Sequence, residues 1–592
     1  MRRAAADRAR LLRICVFLQV GIPAWLAAPA AAQVATRLDI VQAEAHGAAS
    51  SRDLLILRSA THSGDSETAR MAVRALGRIE RPSALPDILL QLRHSLPEVR
   101  AEAANAAAQS AQGFKTGKNA PVGVSVQSVQ AALIARLSVE DEASVRAALC
   151  EAVARLPYKS AGDVDRAETT ILDVSSTHGA NVTDRLGVAR GLEALVRLHS
   201  ELRPPSSRAI AWLRTSIVAT TARPGMEITH DERIRRLALE ALIGAHAVDD
   251  DLIAAAIHDP DAQVRRLAML AVGSSEVGMG SVPNGLLDIT PIVRLEALRA
   301  VRTRGANWAC EAALKSLTDS DMTVALLALD QLSTCGRVPE AVAALERAVA
   351  DRSEADAGRG WHRTAHALVA LAGAAPERIG DALNLSATSG TWQLRMYAAR
   401  AAAIAGDQTR LETLAADSDD RVANAALAGL QRPLRPVPSA KEEVVPEPTA
   451  ADLRRLASPR AIVTIRDVGR IEFALFTNEA PSTVLRFARL AESGYYNGLT
   501  FDRVAPNVVA QAGRRPDGNT SYPNPEVGMW PHVRGAVGIS TPDTGDAQFF
   551  IDLVDNPRFD HRYTVFAQVL NGAELVDSIL EGDVIESIVI VP

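Results

Sequence analysis

Apolar residues recur along most of this chain at helical spacing, and only over the last quarter does the pattern change to alternation. From about 36 to 430 a small or branched residue followed by arginine keeps returning: Ala69-Arg70, Val99-Arg100, Val145-Arg146, Ile234-Arg235, Val264-Arg265, Val293-Arg294 and Leu394-Arg395. Positions 69 and 99 lie 30 apart, 234 and 264 lie 30 apart, and 293 follows 264 by 29. Each pair opens a run such as Val264, Leu267, Ala268, Leu270 and Ala271, whose spacing puts an apolar stripe on one helix face. Acidic or turn-forming residues stand just before it, as in Asp259-Pro260-Asp261-Ala262, Asp231-Glu232 and Asp417-Ser418-Asp419-Asp420. There the first N–H groups of a helix need acceptors and its dipole favours negative charge. A further helical run precedes each pair, over 85–94, 251–258 and 310–317. One helix pair cannot bury its stripe alone, so the repeat predicts an all-α solenoid over 33–431.

Two stretches break the register, 112–125 and 351–360, and read as connecting loops on the rim. Then Arg432-Pro433-Leu434-Arg435-Pro436-Val437-Pro438 begins a proline-rich linker over 432–457, expected to be extended and to hold two domains apart. Beyond it, Ile462-Val463-Thr464-Ile465 and the alternating run 471–476 read as strands joined by a turn at Asp467-Val468-Gly469-Arg470. Ala480-Pro481-Ser482-Thr483 opens a helix with Val484, Phe487, Leu490 and Ala491 on one side, stopped at Gly494. The run 585–591 is a last strand, expected to pair back with the first.

A length of 592 residues exceeds what one core supports, so the chain is multidomain. Only 4% of residues are aromatic while alanine is abundant, which favours close helix packing. A net charge of −6 offers no basic footprint for nucleic acid. Arg2, Arg3, Arg8, Arg10 and Arg13 precede an apolar stretch, 14–28, and the small residues Ala30-Ala31-Ala32. This is the three-part pattern of a signal peptide over 1–32, with cleavage expected between Ala32 and Gln33. Pro23 interrupts the apolar run, which is shorter than the ~20 residues of a membrane span, so no stable membrane insertion is expected. The expected location is periplasmic or secreted. Cys15 leaves with that segment, and Cys150, Cys310 and Cys335 form no metal or redox motif. Export permits a disulfide between Cys310 and Cys335, but the expectation is buried free thiols.

The chemistry is concentrated in the last quarter. Phe501-Asp502-Arg503-Val504-Ala505-Pro506 is followed by Gln511-Ala512-Gly513, then Gln548-Phe549-Phe550-Ile551, then Phe559-Asp560-His561-Arg562-Tyr563-Thr564-Val565-Phe566. In order and spacing these motifs resemble the cyclophilins, the peptidyl-prolyl cis/trans isomerases, over about 459–592. The resemblance implies a closed antiparallel β-barrel with capping helices over 458–592, and an isomerase that assists protein folding on proline-containing polypeptides. It implies catalytic roles for Arg503 and Gln511, and places Val508, Val509, Ser540, Phe550, Phe559 and Tyr563 around the substrate. Neither a metal nor a cofactor is implied. The helical repeats are similar to short HEAT repeats of the phycobilin-lyase type, taken for their fold and not their chemistry, and imply a surface for a client or partner. This chain departs from the family where Val508-Val509 replaces an aromatic-methionine pair and Arg558 replaces a tryptophan. A second function therefore stays open: a scaffold whose barrel binds proline peptides with little turnover. Elsewhere His362 and His366 share a helix face without the glutamate of a zinc hydrolase, and are expected on a helix surface.

Overall fold

The computed structural model describes residues 35–591, apart from 49, 119, 180, 218–231, 276, 303–305, 352–357, 436–446, 515–523 and 541–546. The expected signal peptide thus lies outside the described residues, as does most of the 351–360 loop. Among the described residues no helix is long and apolar enough to cross a membrane.

Helix pairs stack into the expected solenoid. Their second helices form a continuous row in which each touches the next, from Ser66–Arg78 through Ala143–Ala154, Glu232–Gly244, Ala262–Ser274, Pro291–Arg302 and Trp361–Ala374 to Asp420–Gly429. Small residues let the helices close up: a Cβ on Gly187 would fall 2.4 Å from the Ala147 backbone. The recurrent arginines explain the period. Arg100, Arg146, Arg235, Arg265, Arg294 and Arg395 each hold both oxygens of one carboxylate at 2.6–3.1 Å: Glu140, Asp184, Asp259, Asp288, Asp319 and Asp417. Most also donate to carbonyls five or six residues back, as Arg294 does to Asp288 O at 2.8 Å. A planar fork matches a carboxylate with two parallel bonds, which fixes the angle between repeats. In the Asp-x-Asp turns at 259–261, 319–321 and 417–419 the first aspartate takes the arginine of the preceding repeat. The second caps its own helix, as Asp321 does for Val324 N at 3.1 Å.

After the linker, eight strands run β1 (Arg460–Ile465), β2 (Gly469–Leu475), β3 (Phe501–Ala505), β4 (Val509–Ala512), β5 (Ala536–Ile539), β6 (Phe549–Asp552), β7 (Val565–Asn571) and β8 (Ile585–Val591). Their antiparallel order is β3-β4-β6-β5-β7-β2-β1-β8. The last strand does pair with the first. The sheet curls until its two edge strands meet, not there but through the bridge Thr500–Val584 and bonds such as Ile585 N to Leu499 O at 2.8 Å. The helix Pro481–Glu492 plugs the interior, its Phe487 ring 5.1 Å from Phe566 and 5.7 Å from Phe549.

Barrel and solenoid are not held apart. Arginines along the helix row reach the barrel's loops from one end to the other. Arg70 and Arg74 meet Glu479 at 2.8 and 2.9 Å, and Arg78 donates to the carbonyls of Glu479, Glu526 and Val527. Midway, Arg236 pairs with Asp555 at 3.0 Å and Glu151 with His561 at 2.5 Å. At the far end Arg359 grips Asp583, Arg400 reaches Glu581 at 3.0 Å, and Trp361 packs so close to Gly582 that a Cβ there would lie 3.0 Å from its ring. The linker's described ends explain how. Arg435 is pinned to the last repeat through Asp420, and Glu447 and Pro448 bond to His46 and Gln42 of the first. The chain therefore returns to the start of the solenoid before the barrel begins. Two further expectations change. Cys310 and Cys335 form a disulfide with Cα atoms 5.6 Å apart, since the turn after Met322–Leu332 brings Cys335 back to the neighbouring helix, while Cys150 is a buried free thiol. His362 is buried, not on the surface, because the barrel covers it: it stacks on Trp361 and lies 3.9 Å from Asp583.

Candidate functional site

Strand alternation builds the site. Ala510, Ala512, Val537, Ile539, Phe549 and Ile551 point into the barrel core, so their neighbours face outward. Register then sets Arg503 opposite Gln511, Gln511 opposite Phe550, and Phe550 opposite Gly538, in one row across four strands. Arg503 is exposed and donates from Nη1 to Gln511 Oε1 at 3.3 Å. The Gln511 amide donates in turn to Gln548 Oε1, which fixes which end of the amide faces Arg503.

Phe550 is 5% exposed and lies flat because Gly538 leaves room for it: a Cβ there would fall 2.4 Å from the ring. Phe559 and Tyr563 stand edge-on to it, with centroids at 5.9 and 5.7 Å, and 5.2 Å from each other. The Arg558 guanidinium sits over the Phe559 ring at 5.0 Å. Val508 is half-buried and Val509 buried at the head of β4, opposite Asp552. Ser540 lies at the end of β5, its N–H donating to Gln548 O at 3.0 Å. The structure thus brings Arg503, Gln511, Phe550, Phe559 and Tyr563 together, with Val508, Val509 and Ser540 at the margins.

Several members carry no signal in the motifs. His532 stacks on Phe550 at 5.6 Å, with Nδ1 2.8 Å from Asp552 and Nε2 3.4 Å from Tyr563 O. Asn556 bonds to Asp552 at 2.7 Å. Asn507 is buried at the β3–β4 turn and donates to the solenoid, to Ile292 O at 2.8 Å and Glu296 at 2.9 Å. Gly538 also went unread, although a glycine inside a strand is a signal of close approach.

The row sets an aromatic cluster beside the Arg503 guanidinium and the Gln511 amide. Nothing in it is a nucleophile. Residues 461–591 match the family described as cyclophilin type peptidyl-prolyl cis-trans isomerase/CLD, and residues 54–154 match HEAT repeats. The peptidyl-prolyl cis-trans isomerase of Helicobacter pylori (strain J99) is 39% identical over 143 residues, covering 22% of this chain and 88% of that protein. Isomerase B of Bacillus subtilis (strain 168) is 36% identical over 132 residues, 21% of this chain and 92% of that protein. Among solved structures, a cyclophilin-type isomerase of Cryptosporidium parvum aligns at 21% identity and a TM-score of 0.21, covering 23% of this chain and 98% of that one.

Proposed function

Because the chain belongs to the cyclophilin-type peptidyl-prolyl cis-trans isomerases, we propose that Arg503 and Gln511 turn over X–Pro bonds in exported polypeptides while Phe550 carries the proline ring. Rotation about such an amide meets a barrier of roughly 18–20 kcal/mol because twisting breaks C–N resonance. No bond has to be made or cut. A twisted amide nitrogen regains its lone pair and the carbonyl loses conjugation, so a fixed donor beside the amide favours the twisted state over either planar one. Arg503 is always charged and held by Gln511, and Gln511 by Gln548. The ring rests on Phe550 between Phe559, Tyr563 and the Val508–Val509 wall. The row Arg503–Gln511–Phe550 carries this reading.

Export follows from the 1–32 pattern, and the solenoid is assigned a client or partner. Its inner row already holds the barrel, so that partner takes the outer faces. The second reading, a proline-peptide scaffold, is favoured by the smaller Val508–Val509 wall and by Arg558 over Phe559. One experiment separates them: the full chain recovered from the exported fraction, starting at Gln33 on this reading, is assayed on an Ala-Pro peptide beside Arg503→Ala. The parent should accelerate exchange and the variant lose about a hundredfold or more in kcat, with peptide binding retained. Binding without acceleration by the parent makes the barrel a recognition module. A mature protein still carrying residues 1–32 removes the export assignment.

A further inference from the structure

Asn507 takes φ +61°, the left-handed conformation of the third residue in the turn Ala505-Pro506-Asn507-Val508, which Val508 N closes on Ala505 O at 2.9 Å. The solenoid grips this turn. Both protons of the Asn507 amide are given away to the Pro291–Arg302 helix, to Ile292 O and Glu296 Oε2. Arg299 of the same helix donates to Pro506 O at 2.9 Å and pairs with Glu296 at 3.3 Å. From this turn the contacts continue without a gap. Val508 O accepts from Leu553 N at 3.1 Å and from Asn556 Nδ2 at 3.0 Å. Asn556 reaches Asp552, Asp552 reaches His532, and His532 lies against the Phe550 ring. The loop at the other side is tied to the solenoid as well: Asp555 N donates to Gln263 at 2.8 Å and its carboxylate meets Arg236.

We propose that Glu296 is a positioning residue for the proline pocket, acting through Asn507, so that the solenoid is a working part of the isomerase. The inference rests on the reading that Phe550 receives the proline ring. Glu296 is 5% exposed, so its carboxylate is a fixed point and not a solvated one. The chain of contacts ends at Phe550 and at the Val508–Val509 wall, which grip the ring. It does not end at Arg503, which acts on the rotating amide. Ring contacts are the same in the planar and twisted states, so loosening them weakens both equally: KM rises and kcat stays.

The test uses the full chain, with Ala-Pro peptide kinetics and titration of Ala-Pro dipeptide as two readouts. Asn507→Gly keeps the left-handed turn and removes the tether; Glu296→Ala removes its anchor; Glu296→Gln keeps an acceptor for Asn507. Arg400→Ala cuts the seam far from the pocket. Expected are KM and dissociation constants raised about five- to tenfold in Asn507→Gly and Glu296→Ala, kcat within about twofold, and recovery in Glu296→Gln. Arg400→Ala should match the parent. Parent-like KM in Glu296→Ala overturns the inference and leaves the isomerase standing, and so does an equal rise in Arg400→Ala, which would mean general undocking. A parent that neither turns over nor binds removes the proline reading, and this inference with it.

Discussion

Burial alone would lower the pKa of His532, yet the hydrogen bond and charge of Asp552 raise it above the ordinary imidazole value. Next to it Asp560 accepts from His532 N at 2.6 Å, and burial pushes its carboxyl up to about 7. An aspartate in the unfolded chain titrates near ~3.9. Stability from Asp560 is therefore fully present below that value and is lost as pH rises through about 7. Asp560→Asn keeps the acceptor and removes the titration. Its melting temperature relative to the parent should be higher at pH 8 than at pH 5; an offset independent of pH would show that Asp560 does not titrate there. At this scale the sequence exposed what sits in contiguous motifs: Arg503, Gln511, Phe550, Phe559 and Tyr563. His532 and Asn507 stayed hidden because their importance comes from a ring and a carboxylate that lie elsewhere in the chain.

The helix pairs were legible because a near-thirty-residue period recurs, as at 69 and 99 and at 234, 264 and 293, and helices stand where those apolar stripes put them. The role of the arginines was only half visible. Each was seen to open a helix, but its partner is a carboxylate of the next repeat, a relation between neighbours and not within one unit. Removing one fork strands a mostly buried carboxylate, which costs about 3 kcal/mol. Arg294→Ala, which leaves Asp319 behind, should lower the urea midpoint of the solenoid clearly. Arg337→Ala, which breaks an exposed pair with Glu377, should leave it in place. Equal midpoints would mean that the ladder is ornament on a structure held by its apolar stripes alone.

For the whole molecule, two folds joined by a proline-rich linker were readable and their embrace was not. The seam is made of single side chains meeting loops, such as Arg74 with Glu479, and no period marks them. Proline content does not give the linker's destination, which is set by Arg435 at one end and His46 at the other.

The ladder and the seam also differ in how far along the chain they reach. Rungs join residues 22 to 40 apart, whereas seam contacts join residues 181 to 479 apart. Closing the longest loops costs about 2.5 kcal/mol more in chain entropy than closing a rung. Repeats can form from local contacts and propagate, while docking has to wait for the long closure. Refolding from urea should then be biphasic: helicity returns first, and affinity for the Ala-Pro dipeptide returns later at a rate independent of protein concentration. Recovery of both in one phase would mean that the barrel finds its cradle as fast as the cradle forms.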